Sequence, residues 1–466
     1  MTQIPYQGLN PLPPAPSESV AVWRTLLAWL VILASAAAMI GVTQYRYKEA
    51  AAQTAGPSES RILELTVGTK FTLGARSLLQ GTPNANPTIQ QLQQVSAELE
   101  QAAKAPTEKL RLAIARGEFQ DDQAANKMLD EVAPTLPTGP PHEDLETLRT
   151  IYRKGVEALT DEQKVRLVER YGWFGHLALA HNQPAENPDR ALVISSAKRT
   201  FFSSTISVVI LGIVLAAGLV LLIVALILFA DGKIRRAYRP PPFRAITFLE
   251  AFAIYLGGFL AISVVLHAMS ASLSKHMAIY YLALLIPPAA GVFWPLWCGA
   301  PRDYWRAGLG WHAGRGAFRE MALGWVGYLT GFPIIAVGFW IAMSLTKLAK
   351  AQPTHPAIQE LIGSRADLIM VFILACVYAP LVEETMFRGA LFNYLRSGHG
   401  WLLSACTTSL IFAAIHPQGW TMIPALFGIA MVLAGIREWR GTILASAAAH
   451  ALNNGAVMAL AVMVIR

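Results

Sequence analysis

Charge is what this sequence has least of. Only 15% of its 466 residues are Asp, Glu, Lys or Arg and 54% are hydrophobic; ordinary globular chains carry roughly 25% charged residues. That balance argues against a wholly soluble fold. Cysteine is scarce too. Cys298, Cys376 and Cys406 all lie in apolar stretches, and three without paired spacing indicate neither a disulfide framework nor a Cys-type zinc site. They are expected to be small buried apolar residues. Strand signals are few. No Walker-type phosphate loop and no H-E-x-x-H occurs, and no Ser or Cys nucleophile is flanked by a base. The net charge is +8, yet no Lys/Arg run is interleaved with aromatics. Nucleic acid is therefore set aside as a partner.

The charges that are present are unevenly placed. Between Arg46 and Arg199 stand 19 basic and 20 acidic residues, which leaves 19 basic and 10 acidic for the rest. A near-neutral, charge-rich block is thus set into an apolar chain with a basic surplus. The Pro-rich stretch Met1–Ser19 reads as part of a disordered tail, taken as residues 1–24. Thr25–Thr43 reads as a permanent membrane helix, within 25–45, rather than a signal peptide. It starts late, follows only Arg24, and is long enough to span. Residues 46–200 read as a soluble helical domain. PTIQQLQQVSAELEQAAKA and HEDLETLRTIYRKGVEAL show helical spacing, and TDEQKVRLVERYGWFGHLALAH opens with a Thr160 cap and Glu162. His142, His176 and His181 in this block are expected to be surface or packing residues.

Ile206–Ala230, within a second membrane segment at 201–231, is the most apolar stretch. Residues 240–466 hold further apolar spans at Ile246–Ser272, Met277–Cys298, Met321–Leu345, Leu368–Leu395, Trp401–Ile415, Trp420–Ile436 and Thr442–Ile465. The expected fold class is all-α: a polytopic membrane helix bundle of about nine spans with an inserted extracytoplasmic helical domain. With nine spans, thirteen loop cations, Lys233 and Arg437 among them, fall on one side. Five, such as Lys347, fall on the other. The richer side is placed in the cytoplasm, so residues 46–200 lie outside. An integral protein of a bacterial inner or plasma membrane is expected, with the lipid bilayer as a partner.

Ionisable side chains inside a bilayer are costly and so are functional suspects. Glu250 and His267 are isolated cases. The last hundred residues differ: Glu383, Glu384 and Arg388 stand in APLVEETMFRGALF, His416 in SLIFAAIHPQGW, and His450, Asn453 and Asn454 in ASAAAHALNNGAV. At about 1.5 Å per helical residue, Glu383, His416 and the His450/Asn454 pair lie roughly 12–21 Å from the cytoplasmic face. They converge on a similar level. His450 and Asn454 share a helical face, as do Glu384 and Arg388. Glu383 points about 100° away from Glu384, so one acid can be neutralised by Arg388 while the other faces a cavity. Pro380 is expected to bend its helix, and Pro417 to end one at His416. The short spans around HPQG suggest a broken hairpin lining a wet cavity.

A carboxylate beside an imidazole can activate water, and a second imidazole and an amide can hold an oxyanion. Glu383, His416 and His450 are alternatively a ligand set for hydrolytic zinc. Both readings point to hydrolysis, with a membrane-associated protein or peptide as substrate.

In order, the motifs E-E-x-x-x-R (Glu383, Glu384, Arg388), F-x-x-x-H (Phe412, His416) and H-x-x-x-N (His450, Asn454) occur. Over residues 366–465 the chain resembles the CAAX prenyl endopeptidase type II family, also called the CPBP or bacteriocin-processing family of intramembrane proteases. The resemblance implies that Glu383 is the general base, that His416 helps activate the water, that His450 and Asn454 stabilise the oxyanion, and that Glu384 and Arg388 shape the site. Members are described both as metalloproteases and as metal-free glutamate proteases, so the metal stays open. The competing classes are a non-catalytic scaffold, immunity or sensor protein and a transporter. Paired repeats of broken helices, usual in transporters, are not found.

Overall fold

The structure is a computed structural model that describes residues 18–52, 59–79, 103–239, 246–268, 283–349 and 365–465. Every regular element among them is helical. In chain order these are α1 (Glu18–Ala52), α2 (Glu59–Leu79), α3 (Pro106–Phe119), α4 (Asp122–Val132), α5 (Pro140–Lys154), α6 (Asp161–Tyr171), α7 (Trp173–Leu179) and α8 (Pro188–Ala230). Then come α9 (Ile246–Ala268), α10 (Ile286–Trp297), α11 (Arg302–Leu309), α12 (Ala317–Leu348), α13 (365–396), α14 (Trp401–Ile415), α15 (Ile423–Arg440) and α16 (Ile443–Ile465). The chain divides into two compact units. One takes Met1–Tyr47 and Leu211–Met458, the other Lys48–Ile210 and Ala459–Arg466.

The charge-rich unit is built on the amphipathic periodicity of its short helices. Leu65, Leu110, Ile114, Leu129, Leu148, Phe174 and Ala197 form its buried core. Asp121 caps α4 by accepting from Ala124 N at 2.7 Å. Thr160 and Gln163 close a reciprocal cap on α6, at 3.3 and 2.9 Å. Two predicted helices are shorter than their periodicity implies, because glycines stop them in conformations other residues avoid. Gly155 (φ +91°) ends α5, and Gly172 (φ +55°) breaks α6 from α7. Most of the predicted helix at 87–105 lies outside the described residues.

The apolar unit is that of an integral membrane protein. Among the described residues seven helices are long and apolar enough to cross a membrane, and Trp401–Ile415 is a shorter apolar one. On α8, Val208, Ile213, Val220, Leu226 and their neighbours are exposed. Such a surface is stable in contact with lipid chains, which act as the solvent there. Helices approach closely where side chains vanish. Gly324, Gly331 and Gly338, seven apart on α12, face Ala445, Val432 and Pro424, and a Cβ at any of them would collide.

Three expected boundaries differ from the limits of the helices. The tail drawn at 1–24 is helical from Glu18, because α1 runs on past the membrane core. Arg24 is fixed by two bonds to Glu250, at 2.6 and 2.7 Å. Residues 1–17 lie outside the described residues. The domain boundary drawn at 200 falls inside α8, which continues unbroken from Pro188 to Ala230, since no proline follows its first residue and the apolar run keeps every backbone bond inside the helix. Finally, of the span drawn at Met277–Cys298 the described residues are helical at 283–284 and over Ile286–Trp297, with a turn at Leu285 between them, while residues 277–282 lie outside the described residues. Pro287 and Pro288 supply no N–H and so occupy the first turn of α10. Nine predicted spans thus become seven long helices and two short ones, α10 and α14, among the described residues.

Candidate active site

The first acidic motif lies on α13, and α13 is not a regular α-helix. Over Leu374–Tyr378 and again over Glu384–Leu391 its hydrogen bonds run five residues back instead of four. Such π turns concentrate at functional positions. Pro380, expected to bend the helix, sits just after the first of these turns, with the short α-helical piece Ala379–Glu383 between the two.

Glu384 and Arg388 pair at 3.0 Å with both side chains fully buried. Arg388 Nη2 also donates to the Ala430 carbonyl at 3.0 Å, and its guanidinium lies 4.9 Å over the Phe412 ring. His450 Nδ1 meets Glu384 Oε1 at 3.1 Å. The other ring nitrogen of His450 faces Glu383 Oε2 at 3.8 Å. Glu384 Oε1 is therefore shared between a cation and an imidazole, whereas Glu383 Oε2 is buried and accepts no hydrogen bond.

His416 stands where α14 stops. Pro417 forbids helical geometry before it, and His416 is extended (φ −75°, ψ 144°). Its backbone N–H therefore does not continue the helix, and the ring takes over: Nδ1 meets the Phe412 carbonyl at 2.5 Å. A carbonyl only accepts, so Nδ1 carries the proton and Nε2 of the neutral ring is the acceptor. Phe412 lies between the two histidines, 4.2 Å from the His416 ring and 6.1 Å from that of His450. Glu383 and His450 both act electrostatically on His416.

Asn454 is engaged differently. Its Nδ2 donates to the Ala375 carbonyl at 2.8 Å, and its Oδ1 accepts from Asn453 at 2.9 Å. Asn453 in turn accepts from Tyr328 Oη at 2.8 Å. The structure thus gathers Glu383, Glu384, Arg388 and His450 by direct contact. It joins His416 to them through Phe412, and places Asn454 against the backbone of α13.

Sequence reading missed Arg437, taken above only as a topology-setting loop charge. It is fully buried, and its Nε donates to the Arg388 carbonyl at 3.1 Å. Its position one turn before the end of α15 gave no signal of this. Of the isolated ionisable residues, Glu250 is claimed by Arg24 and by Trp294 Nε1 at 3.0 Å. The side chain of His267 lies outside the described residues.

Whether this donor set fits a metal can be tested on its geometry. Among the described residues no three His, Cys, Asp or Glu side chains stand close enough to hold an ion. One nitrogen of each histidine is committed, to Glu384 and to Phe412, which is the usual state of a ligating histidine and leaves the other nitrogen open. As the side chains stand, Glu383, His416 and His450 are not gathered around a common point.

Residues 365–456 match the family Type II CAAX prenyl endopeptidase Rce1-like. This part of the membrane unit is thus similar to the CAAX prenyl endopeptidases. Among individual relatives, an uncharacterized 24.3 kDa protein of Escherichia coli is 33% identical over 107 residues, 22% of this chain and 46% of that protein. The membrane-embedded CAAX protease MroQ of Staphylococcus aureus is 26% identical over 137 residues, 28% of this chain and 55% of MroQ. The chain thus spans about half the length of the curated relatives it matches. No solved structure matches.

Proposed function

We propose that this protein is an intramembrane endopeptidase that hydrolyses a peptide bond with a water held by Glu383 and His416. The observation that carries the proposal is the unequal fate of two adjacent carboxylates. Glu384 holds Arg388 and His450 through Oε1 and leaves only Oε2 without a bond, whereas Glu383 makes no such pairing with a cation: its Oε2 is buried, unbonded, and faces a histidine nitrogen at 3.8 Å. A buried acceptor without a donor is costly. A water donating to Glu383 relieves that cost and becomes the nucleophile. Glu383 takes the water's proton as its oxygen attacks the carbonyl carbon, and His416 Nε2 orients the second O–H. When the tetrahedral intermediate collapses, the C–N bond breaks and Glu383 returns the proton to the leaving amine. His450 Nε2, when the ring carries its second proton, donates to the oxyanion.

The substrate class is a membrane-associated protein or peptide, and prenylation is not required by this chemistry. The orientation argued from loop charges, with residues 46–200 outside a bacterial plasma membrane, belongs to the same proposal. Reporter fusions at both ends of that block test it. The catalytic assignment is tested with the full chain in lipid nanodiscs, using a membrane-anchored peptide with and without a prenylated C-terminal Cys. Cleavage by wild type that persists in Glu383→Gln and His416→Ala overturns it. Cleavage is expected to survive a chelator; its loss, reversed by added zinc, would reassign Glu383, His416 and His450 as ligands. Failure of wild type to cleave either peptide while still binding one would favour a scaffold.

A further inference from the structure

A helix that passes through a π turn leaves a carbonyl behind. In the α-helix each carbonyl bonds the N–H four residues on; in a π turn, five. At the first π turn of α13, the Ala379 N–H bonds Leu374. The next carbonyl is Ala375. Its four-residue partner would be Ala379, which is taken. Its five-residue partner would be residue 380, a proline with no N–H. The Ala375 carbonyl therefore has neither helical partner, and Asn454 Nδ2 supplies the missing donor at 2.8 Å from 79 residues away. The second π turn ends in the same way. Phe392 N–H bonds Phe387, which passes over Arg388, and Arg437 Nε bonds the Arg388 carbonyl at 3.1 Å.

These turns decide which way the acids face. Each π turn adds one residue, or about 100° of helical rotation, to everything beyond it. Ala379–Glu383 lies between them. If the first turn relaxed to α geometry, the register would slip by one residue, and Glu383 would tend to take the direction now held by Glu384.

We propose that Asn454 is a positioning residue: by capping the carbonyl that Pro380 orphans, it holds the first π turn and so fixes the rotational phase of Glu383 and Glu384. Arg437 does the same for the second turn. This rests on the catalytic reading for its importance, but not for its structural content. It differs from the oxyanion role that resemblance alone implies for Asn454.

The test reads helix register directly. A Cβ built at Gly455 stands 3.7 Å from the Cys376 Sγ. In the full chain in nanodiscs, with Cys298 and Cys406 replaced by Ser, Gly455→Cys is expected to cross-link to Cys376 under mild oxidation. Adding Asn454→Asp, which keeps the size but removes the donor, is expected to slow cross-linking at least tenfold, as is Asn454→Ala. Adding Pro380→Ala to either should restore the rate, because residue 380 then offers its own N–H to Ala375. An unchanged cross-linking rate overturns the inference, and a simultaneous loss of cleavage would move Asn454 to the oxyanion. Slowing that Pro380→Ala does not relieve also overturns it, since general loss of packing would then be the cause. Cross-linking needs no substrate, so a wild-type protein that cleaves nothing would sink the protease reading and leave this one standing.

Discussion

Each unit holds a fully enclosed arginine–glutamate pair, Arg61–Glu108 in one and Arg388–Glu384 in the other, and the two are finished differently. In the charge-rich unit Arg61 Nε bonds both oxygens of Glu108 at 3.0 Å. Glu108 Oε2 also accepts from the backbone of Lys104 and Ala105 at 2.9 and 3.0 Å. Both carboxylate oxygens are satisfied, and the pair fastens α2 to the start of α3. In the membrane unit Glu384 pairs with Arg388 and His450 through one oxygen, while Oε2 of Glu384 and Oε2 of its neighbour Glu383 accept no hydrogen bond. A buried pair with every lone pair used is a fastening. A buried cluster with acceptors to spare holds capacity for a proton, which is what acid–base chemistry needs. The histidines divide along the same line. His176 and His181 in the first unit each meet a partly exposed aspartate, Asp189 and Asp122. His450 stands between two acids inside the apolar unit.

This contrast can be broken by substitution, and the largest effect is expected at Glu383. Glu383→Gln removes the free base, so cleavage should fall about 10²- to 10⁴-fold. Thermal stability should hardly change, because that oxygen bonds nothing in the fold. Arg388→Met should do the reverse, leaving Glu384 buried and uncompensated at a cost of about 3–5 kcal/mol. Urea or thermal unfolding in detergent measures it, and a loss below about 1 kcal/mol would show the pair to be dispensable. Arg61→Met should cost less, about 1.5–3 kcal/mol, since the backbone donors of Lys104 and Ala105 remain on Glu108. Its loss should appear in hydrogen exchange of the charge-rich unit, with cleavage unaltered. A fall in cleavage would contradict the division drawn here.

The smallest effect is expected from pH at His312, in the turn after α11. Its Nε2 donates to the Gly441 carbonyl at 2.8 Å and its Nδ1 accepts from Gly314 N–H at 3.3 Å. Burial, and then the Arg437 charge, hold its pKa below the ordinary 6.5. The unfolded chain therefore binds the proton more readily than the folded one. The stability contributed by neutral His312 is present above about pH 6.5 and is lost as pH falls from there through the depressed folded value. Thermal midpoints measured from pH 7.5 downward should decline, with a shallower slope in His312→Gln. An identical slope would remove His312 from the account.

Much of this was legible because it is local. Apolar runs long enough to span fix membrane helices wherever they occur, and the Thr160 cap and the stop at Pro417 are set by residues a few positions apart. The spacing of Glu384 and Arg388 fixed their pairing on one face. The misses arose where a neighbour in space overrode the pattern. Helical periodicity runs straight through Gly172, but its backbone does not. Arg437 looks like a cytoplasmic anchor, yet it turns inward because the Arg388 carbonyl is there to receive it. Pro380 reads as a bend, and the structure answers it with a π turn and a side-chain cap.

The sequence by itself determined which side chains reach the apolar interior and which near neighbours, such as Glu384 and Arg388, can pair, because helical rise and spacing follow from the backbone alone. Only the tertiary structure decided the rotational phase of the two acids and which of them holds a cation and an imidazole. His450 comes to Glu384 from 66 residues away and Asn454 to Ala375 from 79. Which partner a buried oxygen obtains depends on how separate helices dock.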